Sequence, residues 1–466
     1  MIHLEKNEIY EVEIVDISVD GSGIGKVDGI ALFIKDAVIG DVVKAKIMKM
    51  KKKYGFARLM EIVTPSPHRV EPRCELHRQC GGCQIQTLDY PEQLRFKQKK
   101  VEDHLKIIGK FEDCTVEPVI GMEEPFRYRN KSQFPVARSK GSKNGAEGKL
   151  VSGFYALRTH DIIPTKDCQI GIEQNGKIVQ AILRFMEKNN ISAYDETTGT
   201  GLVRHILIRY SFSREEIMVC LVINGNVLPE QKKFIRSLTK IPGMTSICLS
   251  VNTEWTNVIM GRDIIYIWGK HYITDDIMGV EFRISPISFY QINSIQTEKL
   301  YEKALEFAQL KPEDTVWDLY CGIGTIGLCA SSRVKKVYGV EIVSDAVRDA
   351  RINAQVNHIT NAKFFIGKAE EVLPNFYSSK DQVESEHPDV IIVDPPRKGC
   401  DPALLETILK VQPDRMVYVS CDSATLARDL RILADGGYQI LKVQPFDMFP
   451  QTVHVESCVL LERMSN

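Results

Sequence analysis

From residue 313 onward the chain alternates short apolar runs with amphipathic stretches. The runs at 315–317, 336–340, 390–393 and 416–419 are nearly free of polar residues. Runs so short and apolar suit strands buried on both faces, and helices between them imply a parallel sheet. The first 63 residues read differently. Segments 10–17, 30–34, 42–47 and 57–63 mix polar and apolar positions, with turn residues at Asp20-Gly-Ser-Gly-Ile-Gly25 and Ile39-Gly-Asp41. About five short strands in this span predict a small barrel of the oligonucleotide-binding type. Pro65-Ser-Pro67 then reads as a linker.

The middle of the chain mixes both patterns. Residues 90–106 predict a helix, with Pro91 in its first turn and Leu94, Val101 and Leu105 on one apolar stripe. Its opposite, basic face reads as solvated. The polar, glycine-rich stretch 139–149 reads as a mobile hairpin loop. Apolar segments 201–209 and 217–223, with helices near 173–189 and 229–239, describe an α+β domain. Segment 285–293 and a helix over 294–309 open the last domain. The expected organisation is 1–63, 64–280 and 281–466.

Composition narrows the function. Of 466 residues, 44% are hydrophobic and 26% charged, and the net charge of −1 provides no global attraction for nucleic acid. Any basic surface must be local. No apolar run reaches the eighteen residues of a membrane span, and the N-terminus lacks the order of a signal peptide. A cytoplasmic protein with no membrane contact is expected. Its twelve cysteines are then expected as metal ligands, catalytic groups or buried apolar residues rather than disulfides.

Gly322, Gly324 and Gly327 spell G-x-G-x-x-G after the run at 315–317. Such a strand-to-helix turn lets a ligand lie against backbone. Glu341 ends the next strand, placed to accept hydrogen bonds from ribose hydroxyls. The glycines alone fit a nicotinamide site or an S-adenosylmethionine site. The following strands end in Asp394-Pro-Pro-Arg397 and Ser420-Cys421-Asp422, so Glu341, Asp394 and Cys421 share one rim of the sheet. A nicotinamide dehydrogenase gives the last two motifs no role, and an adenine N6-methyltransferase has no need of Cys421. A cysteine at a strand end near a helix N-terminus is expected to favour thiolate. Glu456, two residues after His454 and on the same face of the last strand, is a candidate general base.

Two clusters remain. Lys44, Lys46, Lys49, Lys51, Lys52 and Lys53 precede Tyr54 and Phe56, a mixture that suits phosphates and stacked bases. Phe126-Arg-Tyr-Arg-Asn-Lys131 reads as an RNA contact or a strand edge. Cys74, Cys80 and Cys83 form C-x5-C-x2-C around Gly81-Gly82. A four-coordinate centre needs one more thiolate, from Cys168 or the sequence-nearer Cys114. Four thiolates suit zinc or an iron–sulfur cluster.

The pieces Asp-Leu-Tyr-Cys-Gly-Ile-Gly-Thr, Asp-Pro-Pro-Arg-Lys-Gly, Ser-Cys-Asp-Ser-Ala-Thr-Leu-Ala-Arg-Asp-Leu and His-Val-Glu-Ser occur in this order. Together they resemble the RNA (uracil-5-)-methyltransferases, in particular the 23S ribosomal RNA branch. The resemblance spans essentially the whole chain. It implies an N-terminal TRAM barrel, an α+β iron–sulfur middle domain and an α/β class I, Rossmann-like methyltransferase domain. It implies Cys421 as nucleophile and Glu456 as proton acceptor. Gln291, Tyr320, Glu341 and Asp394 would hold S-adenosylmethionine, Asp394 also facing the base. Cys74, Cys80, Cys83 and Cys168 would hold a 4Fe–4S cluster. Thr325 and Ala369 stand where some relatives use asparagine towards the cofactor, and both are left out of the site. The implied partner is RNA, 23S ribosomal RNA first and transfer RNA second, with no obligate protein partner. A non-catalytic RNA-binding or assembly protein is the reading from another class.

Overall fold

The computed structural model describes residues 4–139, 148–157, 159–378 and 387–464. Most of the hairpin loop expected at 139–149 lies outside the described residues. Five strands come first: β1 (Ile9–Ile17), β2 (Gly23–Val27), β3 (Ile30–Lys35), β4 (Val42–Met50) and β5 (Tyr54–Thr64). They close into a barrel in the order β1-β2-β3-β5-β4, with β4 pairing back onto β1. Val12 and Ile14, Leu32 and Ile34, and Val43, Ala45 and Ile47 fill its interior at alternate positions, as the period of two demands. Outside, Phe33, Tyr54 and Phe56 gather with ring centroids 5.6–5.7 Å apart, beside the exposed Lys51, Lys52 and Lys53.

Pro65-Ser-Pro67 is a tether rather than a free linker. The buried Asp41 carboxylate accepts hydrogen bonds from Val38 N (2.8 Å), Ser66 N (2.9 Å) and Arg69 Nε (3.0 Å). Burial pushes this acid up, but the Arg69 guanidinium and the two backbone donors outweigh it and hold the carboxyl below its usual range.

Helix α1 (Tyr90–Ile107) starts at Asp89, whose carboxylate accepts from Glu92 N (2.8 Å). It packs on the last domain, against α9 and β20 defined below. Its basic face is not wholly solvated, because Lys97 is buried there.

A seven-stranded sheet follows: β6 (Lys131–Arg138), β7 (Leu150–Tyr155), β8 (Ile162–Pro164), β9 (Val203–Tyr210), β10 (Ile217–Ile223), β11 (Met244–Val251) and β12 (Asp263–Gly269). Its order is β12-β11-β10-β9-β6-β7-β8. Helices α2 (Gln174–Lys188) and α3 (Gln231–Leu238) bury Ile178, Ile182, Phe185 and Phe234 in the core beside it. This is the expected α+β arrangement.

The hairpin β13 (Ile273–Ile277) and β14 (Val280–Ile284) shares a core with α4 (Ser294–Ala308) and the last sheet. The boundary expected at 280 therefore falls inside this hairpin. The last sheet contains β15 (Thr315–Leu319), β16 (Lys336–Glu341), β17 (Ala362–Ile366), β18 (Val390–Val393), β19 (Arg415–Ser420), β20 (Tyr438–Phe446) and β21 (Glu456–Arg463). Its order is β17-β16-β15-β18-β19-β21-β20, parallel through β19 and antiparallel beyond. Helices α5 (Thr325–Ala330), α6 (Ser344–Val356), α7 (Ala369–Ser378), α8 (Pro402–Val411) and α9 (Ser423–Asp435) connect the strands. The strand order reverses at β15, between β16 and β18. The carboxyl ends of these strands open a crevice there, the usual ligand position in such sheets. Among the described residues no helix is long and apolar enough to cross a membrane.

Asp41→Ala leaves Arg69 and the Ser66 amide without their acceptor in a buried setting. The expected loss is about 3 kcal/mol of stability, read as a lower urea midpoint with an unchanged m-value.

Candidate active site

The glycine turn is built from three separate constraints. Gly322 (φ +55) and Gly324 (φ +82) occupy left-handed backbone, and a side chain on Gly324 would lie 3.0 Å from the Phe364 ring. Gly327 lets α5 approach β15, where Asp318 Oδ2 accepts from Gly327 N at 2.8 Å. Tyr320, with φ +67, takes the left-handed conformation without being glycine. Strain of that kind gathers at ligand sites.

Around this turn lies a cavity of about 900 Å³. Gln291, Tyr320, Glu341, Asp394, Cys421 and Glu456 all line it, from five strand ends and the segment before α4. Glu341 Oε2 accepts from Gly322 N (3.2 Å) and Oε1 from Val343 N (2.8 Å), which ties β16 to the glycine turn. Gln291 Nε2 donates to Asp394 Oδ2 at 3.5 Å. Phe289, Arg397, Phe449 and His454 also line the cavity, although the sequence reading gave them no role. Phe289 is 69% exposed. An exposed aromatic two residues before Gln291 is visible in sequence only as one more apolar residue. Of the two residues left out, Ala369 lines the cavity, whereas Thr325 lies behind the turn, bonded to the Tyr301 hydroxyl at 3.0 Å.

The electrostatics depart from one expectation. Burial, then repulsion by Glu456 and Asp394, pushes the Cys421 thiol up to about 12, with Arg397 opposing. The helix N-terminus does not activate it, because Asp422 takes the α9 amides. The Asp422 carboxylate accepts from Ala424 N and Thr425 N, both at 3.0 Å. Burial pushes Asp394 up to about 7, with the Gln291 amide pulling back. Burial and then Asp394 push Glu456 up to about 8, against Arg397. Glu456 is 3% exposed, and among the described residues no donor bonds its carboxyl. His454 precedes β21 instead of alternating with Glu456 along it. Burial, with Arg397, Lys100 and Lys97 nearby, pushes it down to about 4, so it is neutral at pH 7.

A second cavity, of about 370 Å³, is lined by Cys74, Cys80, Cys83 and Cys168. Cys114 packs against the core of the last domain instead. Gly82 N lies 3.4 Å from Cys80 Sγ, and the Ile170 and Gly171 amides face Cys168 Sγ. Arg129 and Lys131 line the same cavity, so this part of the 126–131 segment faces the cysteines. Among the described residues no three His, Cys, Asp or Glu side chains converge closely enough to hold a metal ion.

Comparison with known proteins agrees with this geometry. The tRNA (Uracil-5-)-methyltransferase family matches residues 181–464, and the TRAM domain family matches residues 4–60. An uncharacterized RNA methyltransferase of Halalkalibacterium halodurans is 49% identical, covering 98% of each chain. One of Listeria innocua is 48% identical, also over 98% of each. The crystal structure of Pyrococcus abyssi tRNA (uracil-54, C5)-methyltransferase, in complex with S-adenosyl-L-homocysteine, is 29% identical. It superposes with a TM-score of 0.76 over 97% of this chain and 100% of that one. The chain belongs to the S-adenosylmethionine-dependent RNA uracil-5-methyltransferases and carries an N-terminal TRAM domain.

Proposed function

We propose that this protein methylates carbon 5 of uridine in 23S ribosomal RNA through a covalent adduct between Cys421 and carbon 6. The observation that carries the reading is the single cavity onto which Cys421, Glu456 and Asp394 face together with Gln291, Tyr320 and Glu341. Glu341 and Gln291 hold the methyl donor from the glycine turn and the adjoining loop, Tyr320 packs beside it, and Asp394 faces both donor and uracil. The ribosomal assignment rests on the resemblance of the cysteine spacing. Transfer RNA is the second reading, favoured by the likeness to the Pyrococcus abyssi enzyme.

Carbon 5 of uracil is a weak nucleophile. Addition of the Cys421 thiolate to carbon 6 makes carbon 5 enolate-like, and carbon 5 then takes the methyl group from the sulfonium, releasing S-adenosylhomocysteine. Glu456 next removes the proton from carbon 5. The carbon 5–carbon 6 double bond re-forms as the Cys421 sulfur leaves, and one proton is released overall. The carboxylates are raised toward neutrality, so part of their charge is absent there, which eases the repulsion on Cys421. The uracil reaches the cavity unstacked, flipped or drawn from a loop. The barrel's Phe33, Tyr54 and Phe56, beside Lys51 to Lys53, suit stacking and phosphate contact outside the cavity.

Cys74, Cys80, Cys83 and Cys168 hold a 4Fe–4S cluster in this reading. Two features support it. The four cysteines line one cavity together. A tetrathiolate cluster is anionic, and Arg129 and Lys131 face the cavity with no acidic partner among the described residues. The cluster's contribution is a fixed four-point tie between the 74–83 loop and Cys168. Cytoplasmic residence and no obligate protein partner complete the reading.

Cys421→Ala is expected to lower turnover about 10³-fold or more while affinity for S-adenosylmethionine, read by calorimetry, stays within about twofold. Retained turnover would remove the nucleophile assignment. Because Glu456 works as a carboxylate and is raised to about 8, resolution of the methylated adduct, which follows the attack by the Cys421 thiolate, should quicken through that pH and level off above it in a single-turnover measurement. A flat profile from pH 6 to 9 would exclude the assignment. Anaerobically purified protein should carry iron and sulfide, and oxidative loss should lower its melting temperature. Metal-free protein of unchanged stability would contradict the cluster.

A further inference from the structure

The connection between β20 and β21, residues 447–455, is irregular yet largely buried. Buried backbone outside helix and sheet needs donors from elsewhere. Here they arrive in series from four distant places. Met448 O accepts from Asn293 Nδ2 (3.0 Å), Phe449 O from Lys97 Nζ (3.1 Å) and Pro450 O from the Tyr128 hydroxyl (3.0 Å). Gln451 O accepts from Gln84 N and Ile85 N (3.1 and 3.2 Å), and Val453 O from Lys100 Nζ (3.0 Å). Gln93 adds a reciprocal pair, its Oε1 accepting from Gln451 N (3.1 Å) and its Nε2 donating to Gln451 Oε1 (3.0 Å). This strap carries Phe449 and His454 to the cavity and ends at Glu456.

Lys97 is the least expected of these groups. Its side chain is fully buried, 350 residues from the Asp447 carboxylate it meets at 2.6 Å. A buried ion pair is a poor source of stability, since apolar residues of the same volume do as well or better. Among the described residues, both hydrogen bonds of this ammonium go to the strap. Glu456, for its part, has no hydrogen-bond donor to its carboxyl among the described residues, and its backbone is held by the pairing with Phe446 across β20 and β21 on one side and by the strap on the other. Cys421 follows β19, which pairs with β21 through Ser420 and Ser457, and it precedes the capped start of α9, which the strap does not touch through any of these bonds.

We infer that Lys97 is a positioning residue for the reaction: with Gln93 and Tyr128 it sets the 447–455 strap so that Glu456 meets carbon 5 of the bound uracil. The inference rests on the proposed base role of Glu456. Loosening the strap then impairs proton removal while sparing attack by Cys421. The methylated protein–RNA adduct, formed but not resolved, accumulates.

The test uses the full-length protein, methyl-labelled S-adenosylmethionine, and unmodified transcripts of ribosomal and transfer RNA. Label bound to denatured protein measures the adduct. Glu456→Gln sets the reference and should trap adduct. Lys97→Met should lower kcat by about ten- to a hundredfold, the scale of a misplacement near one ångström. KM for both substrates should stay within about twofold, with adduct accumulating, and Lys97→Arg should restore part of the rate. Tyr128→Phe removes only the bond to Pro450 and should show the same signature more weakly, which decides the matter if Lys97→Met does not fold. If Glu456→Gln traps no adduct, the base role falls and this inference with it. If Glu456→Gln traps adduct but Lys97→Met and Tyr128→Phe lose rate without it, or keep the wild-type rate, the positioning role alone is overturned.

Discussion

Burying Glu456 without a donor is the constraint on which this site is arranged. An ionised carboxyl in that position loses its hydration and recovers only the attraction of Arg397, so its proton is held to about pH 8. The sign of the linkage follows. A raised carboxyl opposes folding as pH climbs from the unfolded value, about 4.3, through the folded one. The free protein is therefore least favoured by this group on the alkaline side, where the carboxylate form that the proposed mechanism uses prevails. Asp394, at the end of β18, adds to the same burden. The cavity keeps a poised acid–base group at the expense of stability, as functional sites commonly do.

Such a group needs a rigid frame, and the frame comes from parts distant in sequence. Helix α1 leaves the barrel side of the chain and lies on the last domain, where Lys97, Lys100 and Gln93 reach the strap. The residues just after Cys83 add two backbone donors at Gln451. A loop tied by a cluster would thus reach Glu456, the proposed base, through a short run of covalent and hydrogen bonds. On the proposed reading, a cluster there would serve structure and take no part in the chemistry.

Much of this was legible in the amino-acid order, for identifiable reasons. The barrel's interior residues alternate, and the strands of the last sheet are short apolar runs ending in polar motifs, so both fall to simple periodicity. The motifs at strand ends led to the rim because parallel sheets present their carboxyl ends together. What stayed hidden depends on pairs far apart. The basic face of α1 looked solvated because nothing near Lys97 in sequence announces Asp447. Cys421 looked activated because its place before a helix was visible, whereas the competition of Asp422 for the same amides was not. Pro65-Ser-Pro67 looked loose because its anchor, Asp41, lies in a turn of the barrel. The hairpin at 273–284 was divided because apolar strands do not reveal which core they join.

The central claim is the product, 5-methyluridine in large-subunit ribosomal RNA. The most direct measurement is transfer of labelled methyl to unmodified total RNA, with ribosomal and transfer RNA separated and the label mapped by mass spectrometry. Label at carbon 5 of uridine in 23S ribosomal RNA is the expected result. Label confined to transfer RNA would contradict the substrate, and label at any other atom would contradict the mechanism.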